Sequence, residues 1–142
     1  MLRFVFIATL FLIGCDTFYI KRFDLHKPND ISLIANYETN KAVIISTIER
    51  YSSEKNMTCK PRAGVFLECS LQPNSVVVFE DNNGVSICLF MLGVGLESEE
   101  FSEKSALIEN ELNEKLYGTT LVIPIESSKC NNQPINPNRR TP

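Results

Sequence analysis

The chain has no tryptophan and a single histidine, His26. A Ser-His-Asp or Cys-His mechanism would have to draw its base from that one imidazole. His26 stands beside Lys27-Pro28, ahead of the first helical periodicity, where a solvated connecting residue is expected. Glycine-rich nucleotide loops are missing. Gly93-Val94-Gly95 lacks the third glycine of a dinucleotide fingerprint and has no following Lys-Ser or Lys-Thr. Glu97, Glu99, Glu100 and Glu103 come next and would repel an anion, so this stretch reads as a strand-to-helix turn with a solvated acidic start. Their spacing is not that of a calcium loop. There is no C-x-x-C: nine, eighteen and forty-one residues separate Cys59, Cys69, Cys88 and Cys130. Close chelate pairs of the zinc type are thereby excluded, and no metal or cofactor is assigned. Basic residues do not predominate, with 14 Lys and Arg against 17 Asp and Glu. A nucleic-acid partner, which calls for a basic face, is not expected. Asn56-Met57-Thr58 matches a glycosylation sequon by chance.

Long apolar runs are also lacking. Phe4 to Ile13 is apolar or small throughout except for Thr9, but it is far short of the roughly 20 residues that cross a bilayer. Arg3 is the only charge before Asp16. A positive start, a short apolar stretch and a small residue at its end form the pattern of a secretory signal. The boundary Leu12-Ile13-Gly14-Cys15 resembles the lipobox of bacterial lipoproteins. The resemblance implies a diacylglyceryl group on the Cys15 thiol and cleavage between Gly14 and Cys15. Two or three acyl chains would then anchor the chain stably, at about 0.8 kcal/mol per buried methylene. Asp16 resembles the residue that retains such proteins in the inner membrane. The location implied is the cell envelope, lipid-anchored at the inner membrane and facing the periplasm.

Without residues 1–14 the chain has 128 residues and a formal charge of −4, enough for one domain. The organisation expected is a signal peptide over 1–14, a lipidated N-terminus and tether over 15–29, a single domain over 30–130 and a polar tail over 131–142. With Cys15 taken by lipid, the other four cysteines form an even set, which in an exported chain reads as two disulfides with three possible connectivities. Cys59 and Cys69 flank Lys60-Pro61-Arg62-Ala63-Gly64 symmetrically about Gly64, as across a hairpin. We expect them to pair, which leaves Cys88 with Cys130.

Phe18 to Asp24 alternates weakly, as a short strand or an extended tether. Asp30 is one candidate helix cap, and Thr39 and Asn40 are others. From Asn40 to Lys55 the period is helical, with Ile44, Ile48 and Tyr51 on one side, Ile45 alongside, and Glu49, Arg50, Glu54 and Lys55 opposite. Asn56 suits a left-handed stop. The period then becomes two, with strands predicted over 65–71, 75–80 and 85–92. Asn83-Gly84 predicts a type I′ hairpin. The third strand is apolar on nearly both faces and is expected to be central or covered. Ser98 opens a second helix with Phe101, Ile108, Leu112 and Leu116 on its apolar stripe, Leu107 nearby, and Gly118 beyond its end. A last strand over 119–125 is limited by Pro124 to an edge. The fold class expected is α+β: an antiparallel sheet of about four strands with two helices packed on one face, ferredoxin-like or related.

The function expected is that of a non-enzymatic accessory or protein-binding module, of structural, inhibitor or immunity type, with a protein partner. A small-ligand or lipid carrier is the alternative, with the apolar strand Val85 to Leu92 lining a cavity. A carboxylate-dependent cell-wall enzyme is less favoured, because so small a domain leaves little room for a substrate cleft.

Overall fold

The computed structural model describes residues 17–62, 65–71, 74–93, 98–127 and Cys130. The lipobox with Gly14 and Cys15, the turn residues Val94, Gly95 and Glu97, and the tail over 131–142 lie outside the described residues. The elements in chain order are β1 (Thr17–His26), α1 (Ile34–Glu54), β2 (Thr58–Arg62), β3 (Val65–Leu71), β4 (Asn74–Asp81), β5 (Gly84–Gly93) and α2 (Ser98–Lys115). The five strands form one sheet in the order β1-β5-β4-β3-β2, and every neighbouring pair is antiparallel. The fold is therefore α+β, as expected, with one strand more than the sequence reading allowed. The connections are not ferredoxin-like: among the described residues no strand follows α2, and β2 to β5 are a simple meander. α1 carries the chain from β1 at one edge of the sheet to β2 at the other.

Two strands lie outside the four expected: β2 (Thr58–Arg62) and, at the N-terminus, β1, which the sequence left open as a strand or a tether. Thr17–His26 pairs along its whole length with β5, from Thr17 opposite Gly93 to His26 opposite Gly84. The folded unit thus includes Thr17–His26, and residues 17–26 are not a tether. Their alternation is real: Phe23 and Leu25 are buried against the helices. Arg22 and Asp24 face the other side, where they neutralise each other (Nε to Oδ1, 2.7 Å). Three charges in a seven-residue window, Lys21 among them, hide a strand whose Arg22 and Asp24 satisfy each other. The strand expected over 119–125 is reduced to a single bridge, in which Asp24 and Val122 exchange both backbone hydrogen bonds at 2.8 Å. Pro124 has no N–H to extend the pairing.

Asp30 begins the helical segment. Its carboxylate accepts from the Ser32 amide at 2.9 Å and caps a short 3-10 turn, Ile31–Leu33, that runs into α1. The α1 stripe is Tyr37, Asn40, Ile44, Thr47, Ile48 and Ser52, half of it polar, which is why the sequence period emerges only near Ile44. Asn40 caps nothing on its own helix. Its amide donates to the Tyr117 carbonyl (3.0 Å) and its carbonyl oxygen accepts from the Tyr117 amide (2.8 Å), tying α1 to the turn after α2. Asn56 adopts φ 57° and ends α1, with the Met57 amide returning to the Ser52 carbonyl. On α2, Phe101, Ile108, Leu112 and Leu116 are buried as expected, whereas Leu107 is exposed. Ile44, Ile48, Ile87, Leu89 and Leu112 are fully buried between helices and sheet, and each contributes about 1.5–3 kcal/mol.

The β4–β5 hairpin differs from the turn expected. Asp81 and Gly84 are the closing pair, so Asn82 and Asn83 are the central residues. Neither has positive φ, and the positive φ (142°) falls on Gly84. Asp81 stabilises the turn by accepting from the Asn83 amide at 2.7 Å. Gly84 is required for a second reason: a Cβ there would lie 2.0 Å from the Leu25 carbonyl oxygen of β1. Gly84→Ala is expected to destabilise the fold by about 2–5 kcal/mol, read as a lowered urea midpoint. An unchanged midpoint would mean that β1 does not pack against this turn.

Candidate functional site

Both sheet faces are buried, by different means. The helix face carries the main core. The opposite face carries Val77, Phe79, Cys88 and Phe90, all buried, with Ile20 packed against them. Arg22, Asp24 and Ser86 form a closed polar group on that face. Ser86 Oγ donates to Asp24 Oδ1 (2.8 Å) and accepts from Arg22 (3.0 Å), and the guanidinium carbon stands 5.8 Å from the Phe79 ring centroid. Each member is satisfied by the others, so the group is a clasp rather than a reactive centre.

Two cysteine pairs lie at disulfide-bonding distance, and they are the pairs expected. Cys59 and Cys69 are direct register partners on β2 and β3, with Cα atoms 4.0 Å apart. Cys88 on β5 meets Cys130, with Cα atoms 6.2 Å apart. The second pair carries the chain across the sheet. Leu121 packs in the helix-face core, Val122 bridges the outer edge of β1, and Cys130 joins the opposite face.

A polar cleft of about 690 Å³ lies at the hairpin end of the sheet, lined by Lys27, Glu38, Lys41, Phe66, Glu80 and Asp81 among others. Tyr37 donates to Glu80 Oε1 at 2.8 Å, and Lys41 reaches Glu80 Oε2 at 3.2 Å and Glu38 at 2.9 Å. The Lys41 ammonium is also 5.2 Å from the Phe66 ring centroid. Burial pushes the Tyr37 phenol well above its ordinary range, and its hydrogen bond to Glu80 adds to this. The hydrogen bond to Glu38 holds Lys41 up against the opposing effect of burial. Burial alone would raise Glu80, but the hydrogen bonds from Tyr37 and Lys41 outweigh it and keep the carboxyl low. A nucleophile with a base beside it is missing from this group. These residues escaped the sequence reading because Tyr37 precedes the recognised helical period and Lys41 stands at its very start, off the apolar stripe. Their i, i+4 spacing was the available signal.

A second cleft, of about 340 Å³, lies between the C-terminal end of α1 and the middle of α2. Its lining is mainly apolar and includes Tyr51, Met57, Leu71, Leu89, Met91, Leu107 and Ile108. Burial pushes the Tyr51 phenol up, against the pull of Lys104.

His26 ends β1 and is exposed, with no hydrogen bond to another described side chain. Glu99, Glu100 and Glu103 are exposed on the first turns of α2, with Glu100 paired to Lys104. Among the described residues no group of three His, Cys, Asp or Glu side chains is placed to hold a metal ion. Comparison with protein-family models, curated proteins and solved structures finds no match.

The cluster around Glu80 sets a pH dependence. A carboxyl held low in the folded state adds stability above its ordinary pKa, and that stability is lost as pH falls through the lowered value. Tyr37 and Lys41, held high, add stability below their ordinary values, and this is lost as pH rises through the raised ones. Glu80→Gln should cost about 1–3 kcal/mol at neutral pH and flatten the acid limb of stability against pH. Equal acid limbs in urea titrations of the two proteins would contradict this assignment.

Proposed function

We propose that this chain is a lipid-anchored, non-enzymatic binding domain of the cell envelope, held through Cys15 at the inner membrane and facing the periplasm, where it acts on a protein partner as an accessory, inhibitor or immunity module. One observation carries the reading. Cys59 is placed with Cys69 and Cys88 with Cys130, so the cysteine at the lipobox has no thiol partner among them. Two bonds closing loops between residues 10 and 42 apart suit an oxidising compartment. The chain after α2 also supports a protein partner. Tyr117, Val122, Ile123 and Ile125 are exposed on a segment clasped to the edge of β1, an apolar stretch of the kind that marks interaction surfaces.

The anchor is tested with Cys15→Ser. Wild type extracted from membranes should begin at Cys15 and carry the mass of two or three acyl chains, whereas the variant should carry none. A variant with the same N-terminus and the same added mass would overturn the reading. The bonds are tested by stability. In the chain-entropy account, removing Cys88–Cys130 costs about 4 kcal/mol and removing Cys59–Cys69 about 3 kcal/mol. The Cys88→Ala, Cys130→Ala protein should therefore show the lower denaturant midpoint of the two double variants. The reverse order would mean that the C-terminal segment does not constrain the fold.

A further inference from the structure

The sheet has two ends with different surroundings. Thr17 pairs with Gly93 and Leu71 with Asn74, so these four residues share one end. His26 and the Asp81–Gly84 turn share the other. α1 runs towards the first end and α2 runs away from it. The apolar cleft, lined by Lys55 and Met57 beyond α1, by Leu71 and Asn74, and by the middle of α2 from Lys104 to Glu111, therefore lies towards the end of the sheet at which β1 begins. Only Asp16 separates Cys15 from Thr17, and two residues span at most about 7 Å. On the anchor reading, this end of the domain lies against the bilayer.

The surface there fits lipid. Leu71 and Leu107 line the cleft and are 52% and 65% exposed, which costs free energy in water and little against hydrocarbon. The cleft volume falls at the lower end of the range for small-molecule sites. Lys55 and Lys104 also line it. Lys55 makes no ion pair among the described residues, and Lys104 is paired with Glu100. Exposed Glu99, Glu100 and Glu103 precede Lys104 on the first turns of α2, and Glu111 lines the cleft itself. Cations beside anions suit a head group that carries both a phosphate and an ammonium, and oppose a purely anionic one.

We propose that this cleft takes up one acyl chain of a zwitterionic phospholipid from the leaflet that holds Cys15, with its phosphate beside Lys55 and Lys104 and its ammonium beside the acidic first turns of α2. The proposal rests on the reading of Cys15 as the lipid-bearing residue. It gives the domain a fixed orientation, with the polar cleft around Glu80 and the apolar segment after α2 directed away from the membrane.

The absence of tryptophan makes the test direct. Full-length lipidated protein carrying Leu107→Trp, at the cleft, or Tyr117→Trp, at the far end, is reconstituted into vesicles of phosphatidylethanolamine and phosphatidylglycerol. Bromine is placed on the acyl chains of one lipid at a time. Brominated phosphatidylethanolamine should shift Leu107→Trp emission to the blue and quench it, more strongly than brominated phosphatidylglycerol does, while Tyr117→Trp stays bright. Adding Lys55→Gln and Lys104→Gln should remove most of that quenching. Protein that floats with vesicles while Leu107→Trp stays as bright as Tyr117→Trp overturns the cleft and leaves the anchor standing. Protein that stays out of the vesicle fraction overturns both. Quenching by phosphatidylglycerol alone overturns the zwitterionic assignment. A blue shift without quenching by either lipid places one of the protein's own acyl chains in the cleft and overturns the leaflet lipid as occupant.

Discussion

β5 is buried on both faces, and the rest of the chain is arranged to satisfy it. Ile87 and Leu89 face the helices, while Cys88 and Phe90 face the other way. A strand of this kind has to be flanked on both edges and covered on both sides. β4 and β1 supply the edges, and α1 and α2 cover one side. On the other side Cys130 is bonded to Cys88, after a path round the edge of β1 that is fixed by the Asp24–Val122 bridge. The Arg22–Asp24–Ser86 clasp sits beside this path and is closed on itself.

The same constraint gives the domain a direction. The meander from β2 to β5 places the strand ends so that α1 ends and α2 starts at the end where β1 begins, and the two are bound together by Asn40 and Tyr117 near the other. The apolar cleft lies towards the first end, between the helices. Polar groups gather at the second, where Tyr37, Lys41 and Glu80 satisfy one another. A chain entering through a lipid-bearing residue just ahead of β1 would meet the membrane with the apolar end.

Most of this was legible in the residues. The helical stripe around Ile44 and Ile48, the α2 stripe, the three meander strands and the symmetry of Cys59 and Cys69 about Gly64 all reflect a single period meeting a single face. What was hidden depends on partners distant in sequence. β1 carries Arg22 and Asp24, which look solvated until Ser86 is beside them. The start of α1 is masked by Asn40 and Thr47, polar residues on its buried face, of which Asn40 is bonded to the backbone of Tyr117. The residues 119–125 look like a strand because they are apolar and branched, yet only Val122 finds a strand to pair with. The hairpin turn was misassigned because Asn-Gly suggests two central residues, whereas β1 approaches so closely that the glycine is needed one place later, as part of the closing pair.

The central claim is that the four cysteines of the domain are consumed in holding β2 to β3 and the C-terminal segment to β5, which leaves Cys15 for lipid. Peptide mapping of the membrane-extracted protein under non-reducing conditions tests this most directly. The account predicts two cross-linked peptides, Cys59 with Cys69 and Cys88 with Cys130, and an acylated peptide beginning at Cys15. Cys59 linked to Cys88 or Cys130, or any cross-link through Cys15, would contradict it.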